Sequence, residues 1–208
     1  YSQAGTPRLE VTDEYDAVAQ RYLLTVRQSC PPTPEQSEKV PFHLPLSVGL
    51  LRADGQPFIL ATGQTTQLLE VTQAEQTFCF DGIDEQPLPS LLRDFSAPVK
   101  LSYAYTQQQL RFLLQHDEDG FNRWDAGQQL SMRLVQQLIE SFQRGEALAL
   151  PKDYIDTWEA LLQNASEDPA MSALLLTLPS EAYISENAAV IDPVAIHHVR
   201  QFMRKTLA

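Results

Sequence analysis

The sequence predicts an all-β unit followed by an all-α unit: an antiparallel β-sandwich over residues 1–105, then an antiparallel helical segment over 106–208. Three observations carry this reading. Up to about Ala104–Gln107 the apolar residues alternate in short runs, broken by Pro, Gly and Asp; beyond it they recur every three to four residues. Strands gathered in one half and helices in the other describe separate units rather than an alternating α/β domain. The turns of the first half are regularly spaced, as in a sandwich.

Leu9–Thr12 and Tyr22–Val26 read as two strands joined through the polar stretch Asp13–Ala17, a hairpin. Cys30-Pro31-Pro32-Thr33-Pro34 reads as a loop, because proline removes donors and holds the chain extended. Phe42, Leu44, Leu46, Val48 and Leu50 share one parity and so one face of a strand. Asp54-Gly55 marks a turn, and Phe58-Ile59-Leu60 reads as the start of the next strand. Gln67–Val71 and Gln76–Phe80 follow. Pro87–Pro89 reads as a loop, and Val99–Tyr103 closes the set. About seven short strands in about 100 residues have the proportions of an immunoglobulin-like sandwich.

In the second half, Leu110, Leu113 and Leu114 mark a short helix ending near Asp117–Gly120. Asn122 is placed to cap the next helix, with Asp125 three residues on and Phe121 as a staple. Leu130, Leu134, Val135, Leu138, Ile139 and Phe142 form its stripe, and Gly145 stops it. Pro151 opens a third helix carrying Tyr154, Trp158, Leu161 and Leu162. Asp168-Pro169 and Asp192-Pro193 each place a cap before a first-turn proline. Short connections imply antiparallel stacking, as in bundles or solenoids, although no repeat of fixed period is visible.

The formal net charge of -12 disfavours nucleic acid as a partner, and no Lys/Arg stripe escapes it. No apolar run approaches the roughly 20 residues of a membrane span. The chain begins at Tyr1 without an initiator Met and closes at Met203–Ala208 inside an amphipathic pattern, which predicts a piece cut from a longer protein. The stripe Ile196, Val199, Phe202 and Met203 would then lose part of its cover. Mobility toward Ala208 and weak self-association are expected.

Candidate chemistry is sparse. His116-Asp117-Glu118-Asp119 holds metal-type ligands, but Phe121 breaks the alternation an EF-hand needs, and a solvated loop between helices is the better reading. His197 and His198 are neighbours on a helix and point about 100° apart, whereas one-face ligation needs a spacing of three or four. His43 has no ligand at useful spacing. Ser166-Glu167, Ser180-Glu181 and Ser185-Glu186 resemble helix starts rather than nucleophile sites, and neither G-x-S-x-G nor H-E-x-x-H occurs. Cys30 and Cys79 both fall on predicted strands with no base beside them, so they read as small hydrophobes. No catalytic, substrate-binding or metal-binding residue is assigned.

Several segments together resemble one family in collinear order. They are Tyr1–Pro7, Pro31–Pro34, Leu91-Leu92-Arg93-Asp94-Phe95-Ser96-Ala97-Pro98-Val99, His116-Asp117 with Phe121–Gln128, and Leu178-Pro179-Ser180-Glu181. The set resembles bacterial aminopeptidase N, a zinc metallopeptidase family that removes N-terminal residues from peptides. The resemblance implies the family's Ig-like domain and the beginning of its helical domain. It also implies that the zinc and exopeptidase motifs lie upstream, with no counterpart here. The parent would hydrolyse peptides with a zinc-bound water and a Glu base. This fragment would bind no zinc; it would shape and cover the catalytic cleft as a partner of the parent's other domains. A cytoplasmic location follows from the same resemblance. Two other classes stay open: a non-enzymatic Ig-like adhesion module, and a helical interaction scaffold capped by the β domain.

Both cysteines are expected to be reduced, since disulfides are rare in the cytoplasm. Two thiols should react with an alkylating agent in denaturant without reductant; alkylation that needs prior reduction would show a bridge.

Overall fold

The computed structural model describes residues 3–166 and 168–207. They divide into two compact units. One holds the residues up to Phe112 together with His116–Asn122; the other holds Leu113–Gln115 and the residues from Arg123 onward.

The first unit is a β-sandwich. Strands β1 (Arg8–Asp16), β2 (Arg21–Ser29), β5 (Glu75–Asp81) and β7 (Lys100–Tyr103) form one sheet in the order β5-β2-β1-β7. Strands β3 (Leu44–Leu51), β4 (Thr66–Val71) and β6 (Leu88–Leu91) form the other, in the order β4-β3-β6. β1 and β2 make the expected hairpin, with Val11 opposite Val26 and Tyr15 opposite Tyr22. Alternation decides the faces: Leu9, Val11, Tyr22, Leu24 and Val26 are buried between exposed or half-buried neighbours. From the other sheet, Leu44, Leu46, Val48, Leu50, Leu69 and Val71 complete the core, with Phe42 half-buried just before β3.

The strands depart from the sequence reading in three places. β7 pairs with β1 in parallel, Leu9 opposite Leu101, so the sandwich is not wholly antiparallel. The stretch between them threads the second sheet and returns in the same sense, which no local pattern reveals. Pro87–Pro89 is not all loop, because Pro89 lies inside β6 opposite Leu50. β6 is an edge strand, where a missing N–H costs least. Phe58–Leu60 is not a strand. Only Pro57 bridges Leu51, the Phe58 N–H donates to Leu50 O at 2.8 Å, and a turn at Leu60–Gly63 leaves no length for a ladder.

Helices α1 (Gln107–His116), α2 (Gly120–Gln143), α3 (Lys152–Gln163), α4 (Pro169–Leu175), α5 (Glu181–Glu186) and α6 (Pro193–Thr206) follow. The Asp168 and Asp192 carboxylates cap α4 and α6 through the Met171 and Ala195 N–H groups, both at 3.0 Å. Ser180 caps α5 through the Tyr183 N–H at 3.1 Å. Ser185-Glu186 closes α5 rather than opening a helix, and Glu167 lies outside the described residues. Gly145, at φ 72°, ends the run after α2 with a conformation that costs glycine little. The core of this unit joins Leu134, Val135 and Leu138 of α2 to Trp158 of α3 and Ile184 of α5. Ile196, Val199 and Met203 of α6 are fully buried in that same core, and Phe202 packs on it half-buried. The stripe expected to lack cover is therefore largely covered by this unit's own helices. Ala208 lies outside the described residues.

The Asp192 cap has a pH signature. The Ala195 N–H, then the Gln143 amide at 3.0 Å, hold its carboxyl below the usual range. Its stabilisation is complete above the unfolded pKa of about 3.9 and is lost as pH falls through the lower folded value. Thermal melts should show Asp192→Ala less stable at neutral pH and the difference vanishing in acid. Asp192→Asn should keep the cap and flatten the acid limb.

Candidate functional site

Two of the segments that carry the resemblance meet in space through Arg93 and Asp117, which lie 24 residues apart and both in the first unit.

The chain leaves β6 through a turn at Arg93–Phe95, entered by Leu92 in the left-handed conformation at φ 62°. Asp94 (φ 55°) and Phe95 (φ 49°) also take positive φ, which costs ordinary L-residues energy. This path sends the Arg93 side chain inward, where it is buried. Its Nε donates to Ser90 Oγ at 2.8 Å, Nη1 to Thr66 Oγ1 at 2.8 Å, and Nη2 to Asp117 Oδ1 at 2.9 Å. The guanidinium lies flat against Gly49 of β3; a Cβ there would collide with it.

Asp117 is its counter-charge, with a side chain that has no exposed surface. Oδ1 also accepts the Asp119 N–H at 3.0 Å, while Oδ2 has no hydrogen-bond partner among the described residues. Burial pushes the Asp117 carboxyl above its ordinary pKa; Arg93 leads the groups that pull it back, followed by Ser90 and the Asp119 N–H. Burying two charges costs several kcal/mol, so such a pair survives only with good geometry and further hydrogen bonds.

The surroundings supply both. Asp119 caps α2, taking the Asn122 N–H on Oδ1 at 2.8 Å and the Asp94 N–H on Oδ2 at 2.9 Å. Asn122, expected as the cap, lies inside the helix; its amide donates to Ser90 Oγ at 2.7 Å. Phe95 and Phe121 close the outer side, ring centroids 5.2 Å apart. The acidic run after α1 is thus no solvated loop. Asp117 and Asp119 hold the turn after β6, and only Glu118 of the three is fully exposed.

The other candidates are scattered. His43 is exposed, with Nε2 3.6 Å from Glu70 Oε2. The His116 ring lies tilted against Phe112, centroids 4.6 Å apart. His197 meets Glu181 at 2.9 Å and His198 stacks on Phe142 at 4.6 Å. Cys30 falls one residue after β2 rather than on it, and Cys79 lies on β5; both are free. Desolvation and the Asp81 carboxylate raise the Cys79 thiol's pKa, the opposite of an activated nucleophile.

Among the described residues no three His, Cys, Asp or Glu side chains converge as metal ligands, so the donor set does not fit a zinc ion. No described helix is long and apolar enough to cross a membrane. The buried cluster joins a guanidinium bonded to Ser90, Thr66 and Asp117 to a carboxylate with one oxygen bonded and the other without a partner among the described residues. It can fix backbone and exclude water.

Residues 5–104 match the model of a domain of unknown function, DUF3458, described as having an Ig-like fold. Residues 107–208 match DUF3458_C, a domain of unknown function described as ARM repeats. Over its whole length the chain is 43% identical to aminopeptidase N of Escherichia coli and 42% identical to that of Haemophilus influenzae. It spans about a quarter of each, 24%. Among solved structures it superposes on aminopeptidase A of Legionella pneumophila, crystallised with aspartic acid, with a TM-score of 0.79 and 32% identity. That match covers 99% of this chain and 22% of the other.

Truncating Arg93 to Met should cost about 3–5 kcal/mol in denaturant unfolding, because it strands a buried carboxylate. Arg93→Met combined with Asp117→Leu should cost less than Arg93→Met alone. A double variant at the sum of the two single losses would mean that the pair is not coupled.

Proposed function

We infer that this chain, whose residues 5–104 and 107–208 match the DUF3458 and DUF3458_C domains and which is homologous along its length to part of aminopeptidase N, is a non-catalytic portion of a zinc aminopeptidase. It shapes and covers the catalytic cleft of the larger enzyme, which removes N-terminal residues from peptides. The observation that carries this reading is the end-to-end homology across both domains, which aligns them as one continuous stretch of aminopeptidase N. The architecture of the buried cluster supports it. Arg93, Asp94, Asp117 and Asn122, from two of the segments through which the chain resembles the family, are held by hydrogen bonds in one fixed turn.

In this reading the zinc and the peptide-bond chemistry belong to other domains of the parent. A cleft wall needs rigidity more than reactivity, because misplacement of a substrate by about 1 Å can cost two orders of magnitude in rate. A buried ion pair tied to strand, turn and helix supplies rigidity. A cytoplasmic setting belongs to the same reading, on the family resemblance alone. Homology to aminopeptidase N across both domains favours this over a free-standing adhesion module.

The test is to assay the purified 208-residue chain with an aminoacyl anilide, with and without added zinc, beside an intact aminopeptidase N as positive control. No turnover is expected from the chain. Chelator-sensitive turnover that co-purifies with it, or stoichiometric zinc retained after dialysis, would overturn the reading.

A further inference from the structure

The second unit carries an apolar groove that its own helices leave open. Trp158 and Leu162 of α3, Leu176 and Leu178 between α4 and α5, and Arg200 and Arg204 of α6 line a space of about 310 Å³. Leu162 is 53% exposed, while its neighbour Leu161 is buried. Trp158 and Leu162 stand four residues apart on one helix, as Arg200 and Arg204 do on another. Each pair therefore shares a helix face over about 6 Å. One side of the groove is apolar and the other cationic, and among the described residues no carboxylate lines it.

The cationic side is only partly explained by α6 itself. Arg204 and Lys205 lie in its last turn, where cations suit the helix dipole. Arg200 lies a turn earlier, beyond the reach of that effect, and like charges four residues apart on a helix repel. α6 has no carboxylate to offset them, in a chain of net charge -12. Arg200 Nε donates to Pro179 O at 2.9 Å, which holds the guanidinium at the rim. Among the described residues neither Arg200 nor Arg204 has a carboxylate within ion-pair distance.

Stacked helical repeats bury their faces on one another, and a terminal repeat presents a polar outer face instead. Residues 107–208 match ARM repeats, yet this groove is floored by Trp and Leu, which is no polar outer face. We propose that a further helix of the parent's own helical array lies in the groove, its apolar stripe on Trp158, Leu162, Leu176 and Leu178 and its carboxylates, one turn apart, on Arg200 and Arg204. A helix seats in a groove through apolar residues at i, i+3 or i+4 and i+7, and acidic residues beside that stripe reach the rim. A small anion would satisfy the arginines and leave Leu162 in water; an acidic-flanked helix satisfies both sides. A second copy of this chain brings another net charge of -12, which opposes close approach. The proposal rests on the reading of this chain as a portion of a larger aminopeptidase.

The test compares the 208-residue chain with the intact protein that contains it, by hydroxyl-radical footprinting and mass spectrometry. Leu162 should oxidise readily in the chain alone and fall to the level of buried Leu161 in the intact protein. A photoreactive p-benzoylphenylalanine in place of Leu162 in the intact protein should cross-link to a helix of the same polypeptide outside these 208 residues. Arg200→Glu with Arg204→Glu should restore Leu162 oxidation in the intact protein and leave it unchanged in the chain, whereas Arg200→Lys with Arg204→Lys should keep the protection. Equal oxidation of Leu162 in both proteins, or cross-links to a second copy or to a non-helical domain, would overturn the proposal and leave the homology reading standing. An intact protein with no helical sequence beyond these residues would overturn that reading and the proposal with it.

Discussion

The Arg93–Asp117 ion pair is the constraint on which the order of this region depends. A guanidinium and a carboxylate have both left water, and neither would stay buried without the other. Meeting that condition fixes several local features. Leu92, Asp94 and Phe95 adopt left-handed backbone so that Arg93 can turn inward. Gly49 lacks a side chain where the guanidinium lies. Ser90 accepts from both Arg93 and Asn122, and Asp119 spends one carboxylate oxygen on the helix start and the other on the turn. One electrostatic requirement thus ties an edge strand, a strained turn and the first turn of a long helix into one rigid piece.

That arrangement accounts for the charged residues as members of one buried, mutually bonded cluster. An acidic run beside a histidine suggests a metal, and a buried arginine suggests an anion site. Here each charge is used by the other. The histidines face Phe112, Glu181, Phe142 and Glu70 separately, so they share no centre.

Much of the fold was legible in the sequence because it is written in local periodicity. The hairpin of β1 and β2, the buried parity from Leu44 to Leu50 and the Asp-Pro helix starts all depend on near neighbours. What was not legible depends on distant ones. Pro89 reads as a loop residue until β6 is known to be an edge. Phe58–Leu60 has strand composition but no ladder to join. Asn122 looks like a cap until Asp119, three residues earlier, is seen to hold that role. Asp117 reads as solvated because its partner lies 24 residues upstream. One signal was present: Arg93 is a lone cation in the run Leu91 to Val99, and a charge among apolar residues demands a buried partner. The collinear family segments also held information beyond identity, since two of them meet at this pair.

We propose that these residues hold shape and take no part in bond making. It is tested most directly by the pH profile of kcat/KM for an aminoacyl anilide in a whole aminopeptidase N carrying Arg→Lys at the position equivalent to Arg93. Lysine keeps the charge but cannot reach Ser90, Thr66 and Asp117 together. A lower melting temperature with both limbs of the profile unmoved is the expected result. A displaced limb at an unchanged melting temperature would place this cluster in the chemistry and contradict the account.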